Sequence, residues 1–354
     1  SRTNLCQILK SEVHQHILYT FALLGHPHLW IFTTMSCNSS EISSEDESSS
    51  GSAGFRNLLH MPEVRSMVSR WISIDMPSTF DVGGLVVGST NKTAKLWMKS
   101  PGVFAGRPFV NAVFAECGPG CSVIWTEHAV EGAFINPAAL SHDGKLLMAT
   151  VNGPVNYILR GERIALNALS RCSGVATDSF KSVQLARSFG WTGTVAGTRK
   201  VTPGDFRVVE KYGLLVGGAG THRLDLSQMV MLKDNHIGAV GGSILEAVKK
   251  ARTAAGFHQK IEVECQSIED AFDAATAGAD VVMLDNFEPE QLKIDARRIK
   301  EQFPYVIIEA SGGITNSTMR SYLSEHVDVV SQGALTQGYN CIDYSLKIEA
   351  SAEF

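Results

Sequence analysis

The 354-residue sequence has little of what marks several protein classes. It has no run of about 20 apolar residues, so no transmembrane helix is expected. It carries 31 basic and 36 acidic residues, and this lack of a basic excess argues against a general nucleic-acid-binding protein. Seven cysteines are too few, and odd in number, for a disulfide scaffold. The remaining composition, with 44% hydrophobic residues, is typical of a globular protein.

The first 54 residues differ in composition from the rest of the chain. Residues 17–24 are apolar, but a Gly-His-Pro-His sequence ends this run before it is long enough to span a membrane. Residues 36–54 are rich in serine and acidic residues and are predicted to be disordered. We interpret residues 1–54 as a disordered or non-native extension, with Met35 as a natural initiator. A targeting segment is the alternative.

The next part of the chain, up to about residue 170, is predicted to be a mixed α/β domain. Apolar residues recur at helical spacing over residues 55–71. Short apolar runs separated by turn residues follow. Residues 157–189 have a helical pattern, and Gly174 is expected to divide them into two helices.

From residue 193 onward, apolar strand-like runs alternate with amphipathic stretches. This alternation is typical of a parallel sheet that is covered on both faces. Seven strands fit a closed α/β barrel better than an open sheet. The predicted strands are 194–196, 214–216, 229–232, 261–263, 281–284, 306–308 and 327–330.

Nearly every predicted strand ends in polar residues or glycine. Because the carboxyl ends of parallel strands open on one face of a barrel, these side chains are expected to converge there. Glu264 and Asp285 follow neighbouring strands, and such carboxylates bind Mg²⁺ or sugar hydroxyls. Basic residues suit a polyanionic ligand, and the candidates are Arg199, Lys200, His222, Arg223 and Lys233.

The last two strand ends carry a candidate phosphate site. In barrels the loops after the final strands frequently bind phosphate through backbone N–H groups. The candidate residues are Ser311, Gly312, Gly313 and Gly333. The strand ends together therefore suit a multi-carboxylate substrate, a phosphorylated sugar and Mg²⁺.

Other residues have less specific interpretations. Cys117 and Cys121 lack a second pair at zinc spacing, so a turn with two free thiols is favoured over a metal site. His236 is either catalytic or a hydrogen-bonded structural residue. Glu262 and Glu264 are two residues apart in a strand and should point the same way, so one of them is expected to be structural.

A series of motifs runs in register over about 300 residues. It includes G-E-R-I-A-L-N at 161–167, S-G-V-A-T at 173–177, G-T-R-K-V-T-P-G at 197–204, E-K-Y-G-L-L-V-G-G-A-G-T-H-R at 210–223, M-L-K-D-N-H at 231–236, E-V-E-C at 262–265, G-A-D-V-V-M-L-D-N-F at 278–287, E-A-S-G-G-I at 309–314 and S-Q-G-A-L-T-Q at 331–337. In order and spacing these motifs resemble the quinolinate phosphoribosyltransferase family, closest to its animal-type members. The family belongs to the type II phosphoribosyltransferases.

This resemblance implies a fold and an activity. The expected fold is an N-terminal open α/β sandwich (residues 55–170, with a return segment at 339–354) packed on a seven-stranded α/β barrel (171–338). Family members use Mg²⁺ to join quinolinate to phosphoribosyl pyrophosphate (PRPP). They release pyrophosphate and CO₂ and form nicotinate mononucleotide, a step in de novo NAD synthesis. They work as homodimers, sometimes assembled into hexamers.

The resemblance also implies roles for residues. The five basic candidates match the quinolinate pocket, and Arg163 matches an arginine that enters from the partner subunit. Glu264 and Asp285 match the acidic pair at the ribose and Mg²⁺, and the four candidate phosphate-site residues match the phosphate-binding strand ends. Two departures stand out: Asp205 is an extra residue in the loop after residue 204, and Gln332 is expected to crowd the phosphate site.

Two other functions stay open at this point. A related enzyme would use nicotinate itself and not decarboxylate. A non-catalytic phosphosugar-binding barrel would bind the same ligands without reaction. In each case we expect small-molecule substrates and self-association of the chain. We expect neither nucleic acid nor a membrane as a partner, and we expect a cytoplasmic location.

Overall fold

A computed structural model describes residues 55–349, except residues 56 and 79. The described residues all belong to one compact unit, Ser48–Phe354. The interpretation of residues 1–54 as an extension lies outside the described residues, as does the end of the predicted return segment, residues 350–354. Among the described helices, none combines the length and the apolar character that a membrane crossing needs.

Helices and strands alternate through most of this unit. The described helices are α1 (Met61–Asp75), α2 (Val82–Val87), α3 (Arg107–Glu116), α4 (Pro137–Leu140), α5 (Val155–Ser188), α6 (Arg207–Val216), α7 (Asp234–Ala239), α8 (Ile244–Ala255), α9 (Ile268–Thr276), α10 (Pro289–Gln302) and α11 (Met319–Tyr322). The described strands are β1 (Asn91–Met98), β2 (Gly102–Val103), β3 (Ser122–Trp125), β4 (Phe134–Ile135), β5 (Leu146–Pro154), β6 (Thr194–Ala196), β7 (Val230–Leu232), β8 (Ile261–Cys265), β9 (Val281–Asp285), β10 (Ile307–Ser311), β11 (Val329–Ser331) and β12 (Tyr344–Ile348). Two short 3₁₀ helices span Gly204–Phe206 and Gly333–Leu335.

The N-terminal region is built on a four-stranded sheet with the order β12-β1-β5-β3, in which all neighbours are antiparallel. β12 comes from the C-terminal end of the chain and pairs with β1, placing Leu346 opposite Leu96. Alternate side chains of β1, namely Ala94, Leu96 and Met98, are buried, as the two-residue period of a strand requires. They share one hydrophobic core with Phe109 of α3.

Helix α5 joins this region to the parallel sheet. It is a single helix of 34 residues, so the expected division into two helices at Gly174 is wrong. A Cβ atom at residue 174 would lie 2.5 Å from the backbone oxygen of Asn340 and 2.9 Å from Cδ2 of Tyr339. Glycine therefore allows a close approach of the chain and does not end the helix. The predicted boundary at residue 170 falls inside α5 and stays a prediction.

The C-terminal region is a parallel sheet of six strands in the order β6-β11-β10-β9-β8-β7. Val281–Asp285 shows the expected continuous burial, since four of its five residues are buried. Amphipathic helices cover the outer face. Ser243 and Ser267 precede α8 and α9, and each side chain accepts a hydrogen bond from a backbone N–H in the first turn. A mixed α/β fold with a parallel-sheet C-terminal domain is thus confirmed.

The predicted strand at residues 214–216 is wrong, because these residues form the last turn of helix α6. A short apolar run does not distinguish a buried strand from a buried helix. The place beside β6 is taken by Gly220, which makes one isolated parallel bridge to Ala196. The expected seventh strand is therefore reduced to a single pair of residues, and six strands form the continuous ladder.

Candidate active site

A cavity of about 490 Å³ lies at the carboxyl ends of the parallel strands. Because side chains from all six strand ends line it, the sheet curls around this space as a barrel. We call it the mouth cavity. One lining residue from each strand end, in the order β6 to β11, is Thr198, Met231, Glu264, Asp285, Ser311 and Ser331.

The structure brings together all five basic residues predicted for this face. Arg199 and Lys200 are exposed at the rim, whereas Arg223 is 8% exposed. The Nη2 group of Arg223 donates a hydrogen bond to Met231 Sδ at 3.1 Å. Lys233 Nζ pairs with the Glu264 carboxylate from the neighbouring strand. The mouth cavity therefore presents clustered positive charge, as anion binding requires.

His222 points to two carboxylates inside the barrel. Its Nε2 atom lies 3.6 Å from Oε1 of Glu262 and 3.5 Å from Oε1 of Glu309. Its Nδ1 atom accepts a hydrogen bond of 2.8 Å from the backbone N–H of Arg223. The residue has φ of 55°, a conformation that is uncommon for residues other than glycine. Burial lowers the pKa of His222, but the two carboxylates outweigh this effect and raise the pKa to about 9.

Lys211 is a functional residue that the sequence does not predict, because it lies in α6, away from any strand end. Only 2% of this residue is exposed. Its Nζ atom donates hydrogen bonds to the backbone oxygens of Thr198 at 2.9 Å, Arg223 at 3.1 Å and Thr221. Burial, followed by the charge of Arg199, lowers the pKa of Lys211 to about 8. Lys211 thereby fixes the two chain segments that carry the basic side chains.

Glu210, the neighbour of Lys211, holds the loop that contains Asp205. Its carboxylate accepts hydrogen bonds from the Thr202 backbone N–H at 2.7 Å and the Thr202 hydroxyl at 2.8 Å. Asp205 forms an ion pair with Arg70 of α1, with 2.8 Å between Oδ2 and Nε. The loop with the extra residue is thus tied to two helices in this structure.

Asp285 and Ser311 end adjacent strands and face the same space. Asn286 donates a hydrogen bond from Nδ2 to Asp285 Oδ2 at 2.6 Å and one from its backbone N–H to the Ser311 oxygen at 3.0 Å. Gly312 has φ of +100°, and a Cβ there would lie 2.3 Å from Oδ1 of Asn286. The turn at Gly312 therefore needs glycine, and Gly313 also lines the mouth cavity.

Gly333 lies beside the mouth cavity without lining it. A Cβ there would lie 3.2 Å from Cδ of Lys200 and 3.7 Å from the Thr198 hydroxyl. Gln332 is 1% exposed, and its Oε1 accepts a hydrogen bond of 2.5 Å from Ser182 of α5. The side chain of Gln332 thus points toward the helix, so the expected crowding of the phosphate site is not seen.

Arg163 is not brought into the mouth cavity of its own chain. It is exposed on α5 and lines a different cavity of about 540 Å³ between α1, α2 and α5. Asp81 and Arg160 line the same cavity and form an ion pair of 3.2 Å. The entry of Arg163 into a partner's mouth cavity stays a prediction.

The structure also places the histidine, cysteine and glutamate candidates that had less specific interpretations. His236 accepts a hydrogen bond of 3.2 Å at Nδ1 from the Lys233 backbone N–H, at the start of α7. Cys117 and Cys121 are both free thiols. Burial raises the pKa of the Cys117 thiol to about 12, which disfavours a reactive thiolate. Glu262 and Glu264 both point inward, Glu262 toward His222 and Glu264 into the mouth cavity.

Two family models match this chain over most of its length. The model described as quinolinate phosphoribosyl transferase, N-terminal domain, matches residues 79–173. The model described as quinolinate phosphoribosyl transferase, C-terminal domain, matches residues 175–347. The two matches together cover the antiparallel sheet and the barrel, including the mouth cavity.

Individual proteins give the same result. The chain is 48% identical over 300 residues to the Rattus norvegicus protein named nicotinate-nucleotide pyrophosphorylase (carboxylating), covering 85% of this chain and 96% of that relative. The Homo sapiens protein of the same name is 48% identical over 297 residues, which are 84% of this chain and 95% of that one. The structure of the nicotinate-nucleotide pyrophosphorylase from Francisella tularensis is 28% identical and has a TM-score of 0.72, with 83% of this chain and 99% of that chain covered. The chain belongs to the quinolinate phosphoribosyl transferase family.

Proposed function

We propose that this protein transfers the phosphoribosyl group of PRPP to quinolinate with loss of CO₂ and pyrophosphate. The product is nicotinate mononucleotide, an intermediate of NAD synthesis. The observation that carries the proposal is the mouth cavity, in which a cluster of cations faces carboxylates and a glycine turn at the carboxyl ends of the strands. The relatives named as carboxylating nicotinate-nucleotide pyrophosphorylases support the reaction.

The cations serve to hold an aromatic dicarboxylate. Quinolinate is a dianion at neutral pH, and PRPP carries further negative charge, so the two substrates repel each other without local positive charge. Arg199 and Lys200 at the rim and the buried Arg223 supply that charge. Because Arg223 is held by Met231 and its own loop by Lys211, its guanidinium group is oriented before the substrate arrives.

Glu264 and Asp285 act at the ribose. The bond between the ribose and pyrophosphate breaks as the pyridine nitrogen attacks, and the ribose gains positive charge in the transition state. Two carboxylates at adjacent strand ends stabilise that charge. In the absence of substrate Glu264 is neutralised by Lys233, so substrate binding must separate or extend this pair.

The residues at this place also fit Mg²⁺. Mg²⁺ binds through one or two carboxylates together with waters and substrate phosphates, and Glu264 and Asp285 supply carboxylates on neighbouring strands. When bound, the ion would neutralise charge on the departing pyrophosphate. The backbone around Gly312 and Gly313, with the Ser311 side chain, would bind the ribose phosphate beside it.

A second copy of the chain is proposed to complete each site. Arg163 lies outside the mouth cavity of its own chain, so we propose a homo-oligomer in which Arg163 of one subunit contacts quinolinate in the other. We also propose a cytoplasmic location. The free thiols support it, because reducing compartments keep cysteines unpaired.

One assay tests the function. The purified protein is incubated with quinolinate, PRPP and Mg²⁺, and nicotinate mononucleotide and CO₂ are measured together. Equal amounts of both products are expected, with no reaction when quinolinate is replaced by nicotinate. Nucleotide formation from nicotinate without CO₂ would identify the non-decarboxylating enzyme instead. Binding of both ligands with no product would identify a phosphosugar-binding barrel.

A further inference from the structure

A second cavity, about 350 Å³ in volume, lies at the opposite end of the barrel. We call it the floor cavity, because the first residues of four strands line it: Thr194, Val281, Ile307 and Val329. His222, Arg223 and Glu309 line both the floor cavity and the mouth cavity. These side chains thus form the layer that separates two spaces along one barrel axis.

Two carboxylates facing His222 have oxygens without a hydrogen-bond partner in the described part of the chain, namely both oxygens of Glu262 and Oε1 of Glu309. Of the two, Glu309 lines both cavities. Among the residues that the structure describes, none makes a hydrogen bond to Oε1 of Glu309, and 3.5 Å separates this atom from His222 Nε2. Glu309 is 3% exposed. A buried carboxylate oxygen without a donor is costly when charged, and sharing a proton with a neighbouring group removes that cost.

The imidazole of His222 is oriented toward this carboxylate. Its Nδ1 accepts the Arg223 backbone N–H, so Nε2 is the atom that faces Glu309. The pKa of His222 is raised to about 9, against burial, by the two carboxylates. Because Nδ1 accepts a hydrogen bond, the ring proton of His222 lies on Nε2, between the two facing carboxylates.

The proposed reaction needs a proton at this place. When CO₂ leaves, the bond between ring carbon C2 and the carboxyl carbon breaks, and its electron pair stays on C2, next to the cationic ring nitrogen. A proton must then form the new C2–H bond. We propose that Glu309 and His222 form a relay that passes a proton from water in the floor cavity to C2 of the substrate in the mouth cavity.

In this relay His222 gives its Nε2 proton to C2, Glu309 passes a proton to Nε2 of His222, and water in the floor cavity protonates Glu309. The layer thus regains its starting protonation after each turnover, and hydroxide leaves through the floor cavity. This inference rests on the proposed function. Glu262 from β8 faces the relay at His222, and Arg223 lies in the same segment as His222. Lys211 from α6 and Arg199 after β6 act on Arg223.

The variant Glu309→Gln tests the relay, since glutamine keeps the shape but cannot release a proton. We expect kcat to fall by about 100-fold or more, with the Kd for quinolinate unchanged when it is measured without PRPP. Glu131→Gln is the matched control, because Glu131 is also a buried carboxylate but lies at the start of α3. It should leave kcat unchanged. A Glu309→Gln enzyme with the kcat of the native protein, or with quinolinate binding lost in parallel, would overturn the relay.

The pH profile separates proton delivery from a structural role. The relay is protonated below about pH 9 in the native protein, so kcat should fall as the pH rises through that value. Without the Glu309 carboxylate, the pKa of His222 is lower, and the alkaline fall should move to lower pH. An alkaline fall at the same pH in the native protein and in Glu309→Gln would contradict the proposal.

A variant of the floor cavity keeps the proposal testable if Glu309→Gln does not fold. Thr194 is exposed at the rim of this cavity, so Thr194→Phe narrows the opening without entering the core. We expect kcat to fall by about 10-fold, less than for the relay variant, because water on the mouth side is a slower source. Thr253→Phe on the exposed face of α8 is the control. Equal kcat values in Thr194→Phe and in the control would overturn the path through the floor.

Two outcomes separate this inference from its alternatives. If the native protein forms no nicotinate mononucleotide, the proposed function fails, whereas an active native protein with unaffected variants refutes the relay alone. The candidate ligand atoms of His222, Glu262 and Glu309 lie within 4.8 Å of one another, which also suits a metal ion. A stoichiometric divalent cation in the purified protein that is lost in Glu309→Gln would overturn the relay.

Discussion

The two sheet regions of this molecule each bury a carboxylate, but the groups that face the two carboxylates differ. In the N-terminal region, Glu131 accepts hydrogen bonds from the backbone N–H groups of Gly106 at 3.1 Å and Arg107 at 2.6 Å. Its carboxylate thereby occupies the N-terminus of α3. In the barrel, Glu309 has an oxygen without a hydrogen-bond partner in the described part of the chain and faces His222.

This difference separates a carboxylate that serves the fold from one that serves chemistry. Backbone donors at a helix start compensate a buried charge and fix the local conformation. Glu309 instead faces an imidazole nitrogen at 3.5 Å, and imidazole is a group that takes up and releases protons near neutral pH. Burial alone therefore does not indicate function, whereas the identity of the donors does.

The largest effect is expected in the barrel, for Lys233→Ala. Loss of this cation removes the partner of Glu264 and a positive charge from the mouth cavity. We expect kcat/KM for quinolinate to fall by about 1,000-fold, with a thermal midpoint close to that of the native protein. Lys293→Ala, at an exposed ion pair on α10, is the control and should keep full activity. Retained activity in Lys233→Ala would refute its place in the site.

Arg163→Ala tests the one residue of the N-terminal region for which we propose a role in catalysis. We expect kcat/KM for quinolinate to fall by about 100-fold, because a partner's mouth cavity loses one cation. Mixing this variant with Lys233→Ala should restore up to about a quarter of the native activity, since each mixed dimer then contains one intact site. Mixed dimers, verified by two affinity tags, that stay inactive would show that Arg163 does not act across subunits.

The pH dependence of stability tests the cluster of His222, Glu262 and Glu309 inside the barrel. The pKa of His222 is raised from 6.5 to about 9, so its contribution to stability is complete below pH 6.5 and is lost as the pH rises to about 9. We expect this loss to be about 3 kcal/mol in the free energy of unfolding. The measurement is urea unfolding of the native protein and of Glu309→Gln at pH 6.5 and pH 9. The loss should be smaller in Glu309→Gln, because Glu262 alone then raises the pKa of His222. Lys211 titrates with the opposite sign in both proteins, so the comparison of the two removes its effect.

Glu131→Ala tests the structural carboxylate. We expect the free energy of unfolding to fall by about 2 kcal/mol, because two buried backbone N–H groups at the start of α3 lose their acceptor. The activity of the folded protein should not change. The two measurements are the free energy of unfolding in urea and kcat per folded molecule. A large loss of kcat without loss of stability would reverse the distinction between the two carboxylates.

The smallest effect is expected for Arg70→Ala. Arg70 pairs with Asp205 and Glu63, but its side chain is 47% exposed. Exposed ion pairs contribute little to stability, so the free energy of unfolding should stay close to that of the native protein. A kcat that fell with this variant would indicate that the contact of Asp205 with α1 controls the loop at residues 202–205.

The sequence was sufficient to predict the mouth cavity because parallel strands expose their carboxyl ends together. The five basic residues, Glu264, Asp285, Ser311, Gly312 and Gly313 all line it. Most of these positions follow from the pattern of apolar runs, since each of those residues lies within a few residues of the end of a strand. His222 and Arg223 are exceptions, because the apolar run before them is the last turn of α6 and not a strand.

Other features depend on contacts between residues that are far apart in the chain, and no local sequence pattern indicates such contacts. Gly174 is small because Asn340 passes beside it, 166 positions away in the chain, and not because a helix ends. Lys211 acts through three backbone oxygens on loops that precede and follow its helix. The pairing of Glu309 with His222 depends on how the loop after α6, with His222 at φ of 55°, enters the barrel beside β10.

The most direct test of the account is the structure of this protein with quinolinate bound. We expect the ring in the mouth cavity, with its carboxylates against Arg199, Lys200 and Arg223 and with C2 on the side of His222. Arg163 of a second subunit should contact the same ligand. Quinolinate bound in the cavity between α1, α2 and α5, with the mouth cavity free of it, would contradict the account.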